Sequence, residues 1–157
     1  MKIELIAIGR TQSKYLTQGI DNYCQRITHY IPFSLTVLPD LKSTKSLSDE
    51  QQKQREGQML LAAFQPSDAV ILLDERGKEL TSREFATFID RKMVSGLKRL
   101  VFVIGGPYGF SQEVYARADG KLSLSRMTFS HEMVRLFFTE QIYRAMTIMR
   151  GEPYHHD

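Results

Sequence analysis

Short apolar runs alternate along this chain with longer stretches whose apolar residues recur every three or four positions. Lys2 to Ile8 predicts a first strand. From Ser13 to about His29, Leu16, Ile20, Tyr23 and Ile27 recur at helical spacing. Phe33 to Leu38, just past Pro32, predicts a second strand, and the polar stretch Pro39 to Ser46 a loop. A helix capped by Ser46 or Ser48 is expected to run to about Phe64, with acidic residues in its first turn, where the helix end favours them. Asp49 to Gln58 is almost wholly polar, so only the Met59-Leu60-Leu61 end of that helix is expected to be buried. Gln65 to Asp68 predicts a turn. Ala69 to Leu73 and Leu100 to Ile104 are continuous apolar runs, the pattern of strands covered on both faces. Between them, Thr81-Ser82-Arg83-Glu84 has the spacing of a capping box. The helix it opens carries Phe85, Phe88, Ile89 and Met93 on one side and ends at Gly96. After the loop Gly105 to Gly109, Ser111 caps a short helix and Lys121 to Ser125 predicts a short fifth strand. His131 to about Arg150 is the last helix, and Gly151 to Asp157 a tail.

Strands alternating with helices predict an α/β fold with a mainly parallel sheet covered on both faces. Ligands bind such sheets outside the carboxyl ends of the strands. That rule brings three segments together: Leu73-Asp74-Glu75, Gly105 to Gly109, and Ser125 to Phe129.

The chain of 157 residues fits one domain with a proper core. Its apolar share of 42% and charged share of 25% argue against disorder. The net charge of +3 permits a nucleic-acid partner without demanding one. The single cysteine, Cys24, has no intrachain partner and no metal-ligand spacing near it. The N-terminus is too quickly interrupted for a signal peptide, and no apolar run approaches the ~20 residues of a membrane span. A cytoplasmic protein with no membrane partner is expected.

Three glycines among Gly105-Gly106-Pro107-Tyr108-Gly109 let a backbone approach a ligand closely, although a tight turn alone would use them equally well. A dinucleotide fold would place such glycines after the first strand, where only Gly9-Arg10 stands, and no Gly-Lys-Ser/Thr phosphate loop is present. A nucleotide-dependent enzyme of ordinary doubly wound fold is therefore disfavoured. In Leu124 to His131 a strand breaks before a long helix begins, leaving backbone donors and acceptors free to hold the edge of a base such as adenine. Met127 and Phe129 would be its apolar walls, and Ser130 a cap for the helix.

On the last helix, Val134, Phe137, Phe138, Ile142, Ala145, Ile148 and Met149 form one wide apolar face. Leu136 and Tyr143 lie off that face, which predicts a second contact, with another subunit or with the chain itself. Glu140 and Arg144 have the order of a surface ion pair. The adjacent histidines of Tyr154-His155-His156-Asp157 have no further ligand at metal spacing, so no metal is expected.

Taken in order, Phe102-Val103-Ile104-Gly105-Gly106-Pro107-Tyr108-Gly109, Leu122 to His131, Val134-Arg135, Glu140 to Ala145 and Pro153-Tyr154-His155 resemble the bacterial large-subunit ribosomal RNA pseudouridine methyltransferase H family, of the SPOUT class. The resemblance runs the full length. It implies an α/β trefoil-knot fold with a mainly parallel, five- to six-stranded sheet and helices on both faces, in one domain whose knot spans about 100–157. It implies S-adenosylmethionine as methyl donor, held by Leu73, Gly105, Leu124, Ser125, Arg126, Met127, Thr128 and Phe129. The reaction implied is methylation of N3 of a pseudouridine in 23S rRNA, at the subunit-interface stem-loop of assembled ribosomes, by a homodimer built through the C-terminal helix. Tyr154 and His155 are the expected catalytic residues, acting across the dimer. Arg10, Arg126 and Arg144 are the expected phosphate contacts, and His131 is expected to be structural. Two positions depart from the family pattern: Ser130 stands where proline is common, and His156 where arginine or lysine is common. The altered tail leaves one competing reading, a ribosome-binding knotted dimer impaired in catalysis.

Overall fold

The computed structural model describes residues 1–157. Five apolar runs form strands β1 (Lys2–Ile8), β2 (Phe33–Leu38), β3 (Ala69–Glu79), β4 (Arg99–Ile104) and β5 (Gly120–Ser123). They pair in the order β2-β1-β4-β3-β5, and every pairing is parallel. Parallel strands need crossovers, which are supplied by α1 (Lys14–Thr28), α2 (Asp49–Ala63), α3 (Ser82–Val94) and α4 (Gln112–Arg117). Helix α5 (His131–Met149) follows β5.

Side chains alternate across the sheet and feed two cores. One face sends Ile3, Leu5, Phe102 and Ile104 against Ile27 of α1, Phe85 and Ile89 of α3, and Phe138 and Ile142 of α5. The other sends Ile6, Val70, Leu72, Val101 and Val103 against Leu60 of α2 and Val114 of α4. Phe102 and Phe138, both fully buried, meet edge to face at 4.9 Å between centroids. Burying each ring contributes about 1.5–3 kcal/mol.

Several boundaries differ from the sequence expectation. The sheet has five strands, and β5 ends at Ser123, which leaves Leu124 and Ser125 outside it. Strand β3 continues six residues past Leu73 through the polar stretch Asp74–Glu79, with a register break between Leu73 and Lys78. Gly77 permits this, because a Cβ there would stand 2.6 Å from the backbone of Leu122. Ser48 caps α2 in a full capping box with Gln51, while Thr44–Ser46 forms a separate turn of 3-10 helix. Glu56 and Gly57, in the stretch expected to be solvated, are buried.

The two residues off the apolar face of α5 are covered by the chain itself. Leu136 lies over Gly19 of α1, and Tyr143 meets Tyr23 at 5.9 Å and Tyr30 at 6.0 Å. Their presence is therefore explained without a second subunit. Arg135 is only 2% exposed, donating to the Ile8 carbonyl at 2.8 Å and to Thr11 Oγ1 at 2.9 Å.

Candidate functional site

The carboxyl ends of β3, β4 and β5 surround a cavity of about 430 Å³. Leu73, Gly105, Leu124, Ser125, Met127, Thr128 and Phe129 all line it, together with the Gly106–Phe110 loop and with His131 and Val134 of α5. The three segments brought together by the strand-end rule thus line one cavity. Arg126 is not among the lining residues. Its side chain is 90% exposed and pairs with Glu79 at 3.3 Å.

The segment Leu124–Phe129 makes no backbone–backbone hydrogen bond. Its only backbone groups with a partner are the Met127 N–H, which donates to Ser125 Oγ, and the Ser125 carbonyl, which accepts from Ser123 Oγ. What remains is a row of free donors and acceptors on a cavity wall, the arrangement that reads the edge of a planar heterocycle. Phe129 supplies an apolar surface and is itself braced by Phe137 at 5.1 Å. Ser130 caps α5 by accepting from the Met133 N–H.

On the opposite rim, the Tyr115 hydroxyl donates to Asp74, and Asp74 accepts from the Arg76 N–H at 2.8 Å. Burial together with that carboxylate pushes the Tyr115 hydroxyl up to about 12. Asp74 ends an apolar strand run, so its position was legible. The approach of Tyr115 from α4 was not.

Beneath the glycine loop lies Glu56, 4% exposed, with Oε1 unpartnered. A Cβ on Gly106 would stand 2.3 Å from that oxygen. Burial raises the Glu56 carboxyl above its ordinary range, with nearby Asp40 adding to the effect and a bond from Gln52 opposing it.

The tail lies elsewhere. The Tyr154 hydroxyl donates to Glu140 Oε1 at 2.9 Å, and Arg144 donates to Glu140 at 2.7 Å and to His155 Nδ1 at 3.0 Å. The Arg144 guanidinium also lies 4.7 Å above the Tyr154 ring. Arginine can only donate, so Nδ1 accepts and a neutral His155 carries its proton on Nε2. Asp157 is held by Arg83. Arg144 lies ten residues beyond Val134, the last residue of α5 to line the cavity, about 15 Å of helix, and neither Tyr154 nor His155 is a lining residue. Within one chain, Tyr154 and His155 therefore do not reach the cavity. Arg10 lies in a separate polar groove with Thr11, Gln12, Lys14 and Thr17.

A family model described as "Predicted SPOUT methyltransferase" matches residues 1–155. The protein named ribosomal RNA large subunit methyltransferase H from Parabacteroides distasonis is 58% identical over 157 residues, covering all of both chains. Its namesakes from Christiangramia forsetii and Bacteroides fragilis are 58% and 56% identical, over 99% and 100% of both chains. The chain belongs to the ribosomal RNA large subunit methyltransferase H family of the SPOUT class. It is accordingly a methyltransferase, of a family that uses S-adenosylmethionine.

The residues present fit such a donor. The cavity volume lies in the range of small-molecule sites, about 300–1,000 Å³. The free edge of Leu124–Phe129 suits adenine, and the lining carries both signs of charge, Asp74 and Glu75 with Lys53 and Arg76, as a donor bearing an ammonium, a sulfonium and a carboxylate requires. No group of three or more His, Cys, Asp or Glu is placed to hold a metal ion, and no helix is long and apolar enough to cross a membrane.

Proposed function

We propose that this methyltransferase transfers a methyl group from S-adenosylmethionine to N3 of a pseudouridine in 23S rRNA, at the subunit-interface stem-loop of assembled ribosomes in the cytoplasm. The observation that carries the reading is the unpaired backbone of Leu124–Phe129 on the cavity wall. It stands in a chain more than half identical to proteins named for methylating large-subunit ribosomal RNA.

Leu73, Gly105, Leu124, Ser125, Met127, Thr128 and Phe129 bind the donor, and Arg126 reaches from the rim towards RNA. The sulfonium already activates the methyl group, so the protein's task is to align N3 in line with the carbon–sulfur bond. The N3–carbon bond forms as the carbon–sulfur bond breaks, and the imide proton leaves N3. Tyr154 and His155 orient the flipped base and assist that loss of a proton. Because neither lines the cavity of its own chain, they serve the cavity of a second subunit, in a homodimer built through α5. Burial, with hydrogen bonding to Tyr23 and Glu140, raises the Tyr154 hydroxyl above its ordinary range, so this residue acts as a hydrogen-bond donor; His155, whose Nδ1 accepts from Arg144, meets the base through Nε2–H, and the imide proton leaves to solvent. Arg10 and Arg126 contact phosphate. Arg144, committed to Glu140 and His155, positions the tail. The single domain carries its knot over about 100–157, which closes the donor loop against α5.

The test is transfer of labelled methyl to ribosomes lacking the modification, with free large subunits and naked 23S rRNA alongside. Label at N3 of one pseudouridine on assembled ribosomes is the expected result. Donor binding without label on any substrate would overturn it and favour an impaired ribosome-binding dimer.

A further inference from the structure

On the far side of β5 from α4, the groove between β5 and α3 forms a cavity of about 550 Å³. Five cations border it: Lys78, Arg83, Arg91 and Lys92, with Lys121 at its rim turning its ammonium over the Tyr115 ring of α4 at 5.5 Å. The only carboxylates lining it are Glu84 and Asp119, and both are engaged elsewhere. Glu84 accepts the Thr81 N–H in the capping box of α3, and Asp119 accepts the Val70 N–H and pairs with Arg117. Lys78, Arg91, Lys92 and Lys121 have no carboxylate within ion-pair distance, and Arg83 is held only by Asp157 of the tail. With Asp157 on Arg83 included, five cations meet three carboxylates, so the groove holds +2 of the chain's net +3.

The placement follows from the fold. Arg83 and Arg91 lie eight residues apart on α3, on one face and about 12 Å along its axis. Lys78 is carried to the same groove by the unexpected extension of β3, where it registers with Leu122. The groove is also continuous with the donor site. It shares Leu80 and Leu122 with an apolar hollow of about 400 Å³, which in turn shares Leu124 and Phe129 with the donor cavity. Phe137, 40% exposed, stands in that hollow beside Phe129. Unpaired cations, then exposed aromatic surface, then the reacting site is the sequence of contacts that a nucleic-acid strand needs: phosphate neutralisation, base stacking, chemistry.

We propose that the β5–α3 groove is the track for the sugar–phosphate backbone of the RNA strand that enters the donor cavity. This rests on the reading of the protein as an RNA methyltransferase and adds a surface to it. Phosphate on the groove displaces Asp157 from Arg83, so docking of RNA also frees the end of the tail.

The test compares Lys78→Ala/Arg91→Ala with Lys2→Ala/Lys98→Ala. The second pair removes the same charge from exposed residues at the opposite, amino-terminal edge of the sheet. The expected groove variant keeps donor affinity by calorimetry and its melting temperature. It raises KM for ribosomes about tenfold near physiological salt, and flattens the log–log salt dependence of binding to a 23S rRNA fragment by about 1.4–1.8. The control pair changes neither. Unchanged KM and salt slope, or equal losses in both pairs, would overturn the groove. Lost activity on ribosomes with an unchanged salt slope on RNA would overturn it in favour of an acidic protein partner. If the wild-type protein labels no ribosomal RNA at all, the functional reading fails, while the RNA-binding arm still decides the groove.

Discussion

The hydroxyl of Tyr154 donates to Glu140 Oε1 at 2.9 Å, and this contact folds the tail back onto the middle of α5. The chain's last residues are thus folded against its body, although chain ends are commonly frayed. Anchoring limits what the tail can do: in its bound position it does not line the cavity of its own chain.

If the tail works on a partner's cavity, damage to it separates binding from chemistry. His155→Ala is expected to keep donor affinity and to slow single-turnover methylation of ribosomes by about 10²-fold or more. Tyr154→Phe keeps the ring against Tyr143 and Arg144 but loses the hydroxyl, and is expected to cost about 1 kcal/mol of stability as well as rate. Mixed dimers of a tail variant with a donor-loop variant are expected to regain activity, because one of their two composite sites is intact. A normal rate for His155→Ala, or no rescue on mixing, would remove the tail from the reaction.

The contact between Gly106 and Glu56 is expected to control the donor loop. Gly106→Ala places a methyl group against the end of the buried Glu56 side chain, which must shift to admit it. Overpacking of this kind costs about 1–3 kcal/mol and displaces the Gly105–Gly109 wall of the cavity. Thermal unfolding should show the loss, and calorimetry should show weakened binding of S-adenosylmethionine. Glu56→Ala in the same chain is expected to recover a large part of both, as a double-mutant cycle would reveal. Additive effects would mean the two residues do not act through each other.

How much of this was legible depended on whether local pattern or distant packing decided each residue's fate. The capping box at Thr81, the buried runs of β3 and β4, and the open loop before Ser130 follow from neighbours in sequence and stood where their spacing placed them, while the start of α2, left between Ser46 and Ser48, fell at Ser48. Arg135 did not, because its burial depends on the Ile8 carbonyl and Thr11 at the other end of the chain. Glu56 and Gly57 sit in a polar helix stretch whose cover comes from the Gly106 loop and Ser111. The polar half of β3 reads as loop because nothing in Asp74–Glu79 signals that Gly77 will press against Leu122. The tail's attachment to Glu140 and Arg83 likewise has no signature in spacing. The meeting of Leu73, Gly105 and Leu124–Phe129 around one cavity was therefore visible before the fold, Arg126 excepted, whereas the basic groove and the tail anchor were not.

Arg135 offers a test of a buried cation without a carboxylate bonded to it. Burial lowers its guanidinium below the ordinary range, and its Nε has no partner. Its two hydrogen bonds tie α5 to the loop after β1, and Glu132 strengthens the tie by accepting the Gln12 and Ser13 N–H groups. Arg135→Ala is expected to destabilise the fold by about 1–3 kcal/mol, from the orphaned Ile8 carbonyl and the vacated space. Denaturant midpoints would measure it. A change within about 0.5 kcal/mol would show that desolvation of the charge cancels what its bonds contribute.

Two buried carboxylates should give the protein opposite responses to pH. Burial alone would raise Asp68, but bonds from Arg99 at 2.6 and 2.9 Å and from the Gln65 N–H outweigh it and hold its carboxyl below the ordinary value. Its stabilising contribution is therefore present above about pH 3.9, the unfolded value, and fades as pH falls through the folded one. Glu56 is raised instead, so its contribution is full below about pH 4.3 and is lost as pH rises through its folded value. Asp68→Asn is expected to cost about 3 kcal/mol at pH 7, by leaving Arg99 with only Glu4 as its charge partner, and to approach wild type in acid. Glu56→Gln is expected to raise the melting temperature at pH 8 by about 2–4 °C, with the gain disappearing near pH 4. Melting curves of both variants from pH 3 to 9 decide the matter. If the Glu56→Gln gain persisted undiminished into acid, the buried charge would not be its source.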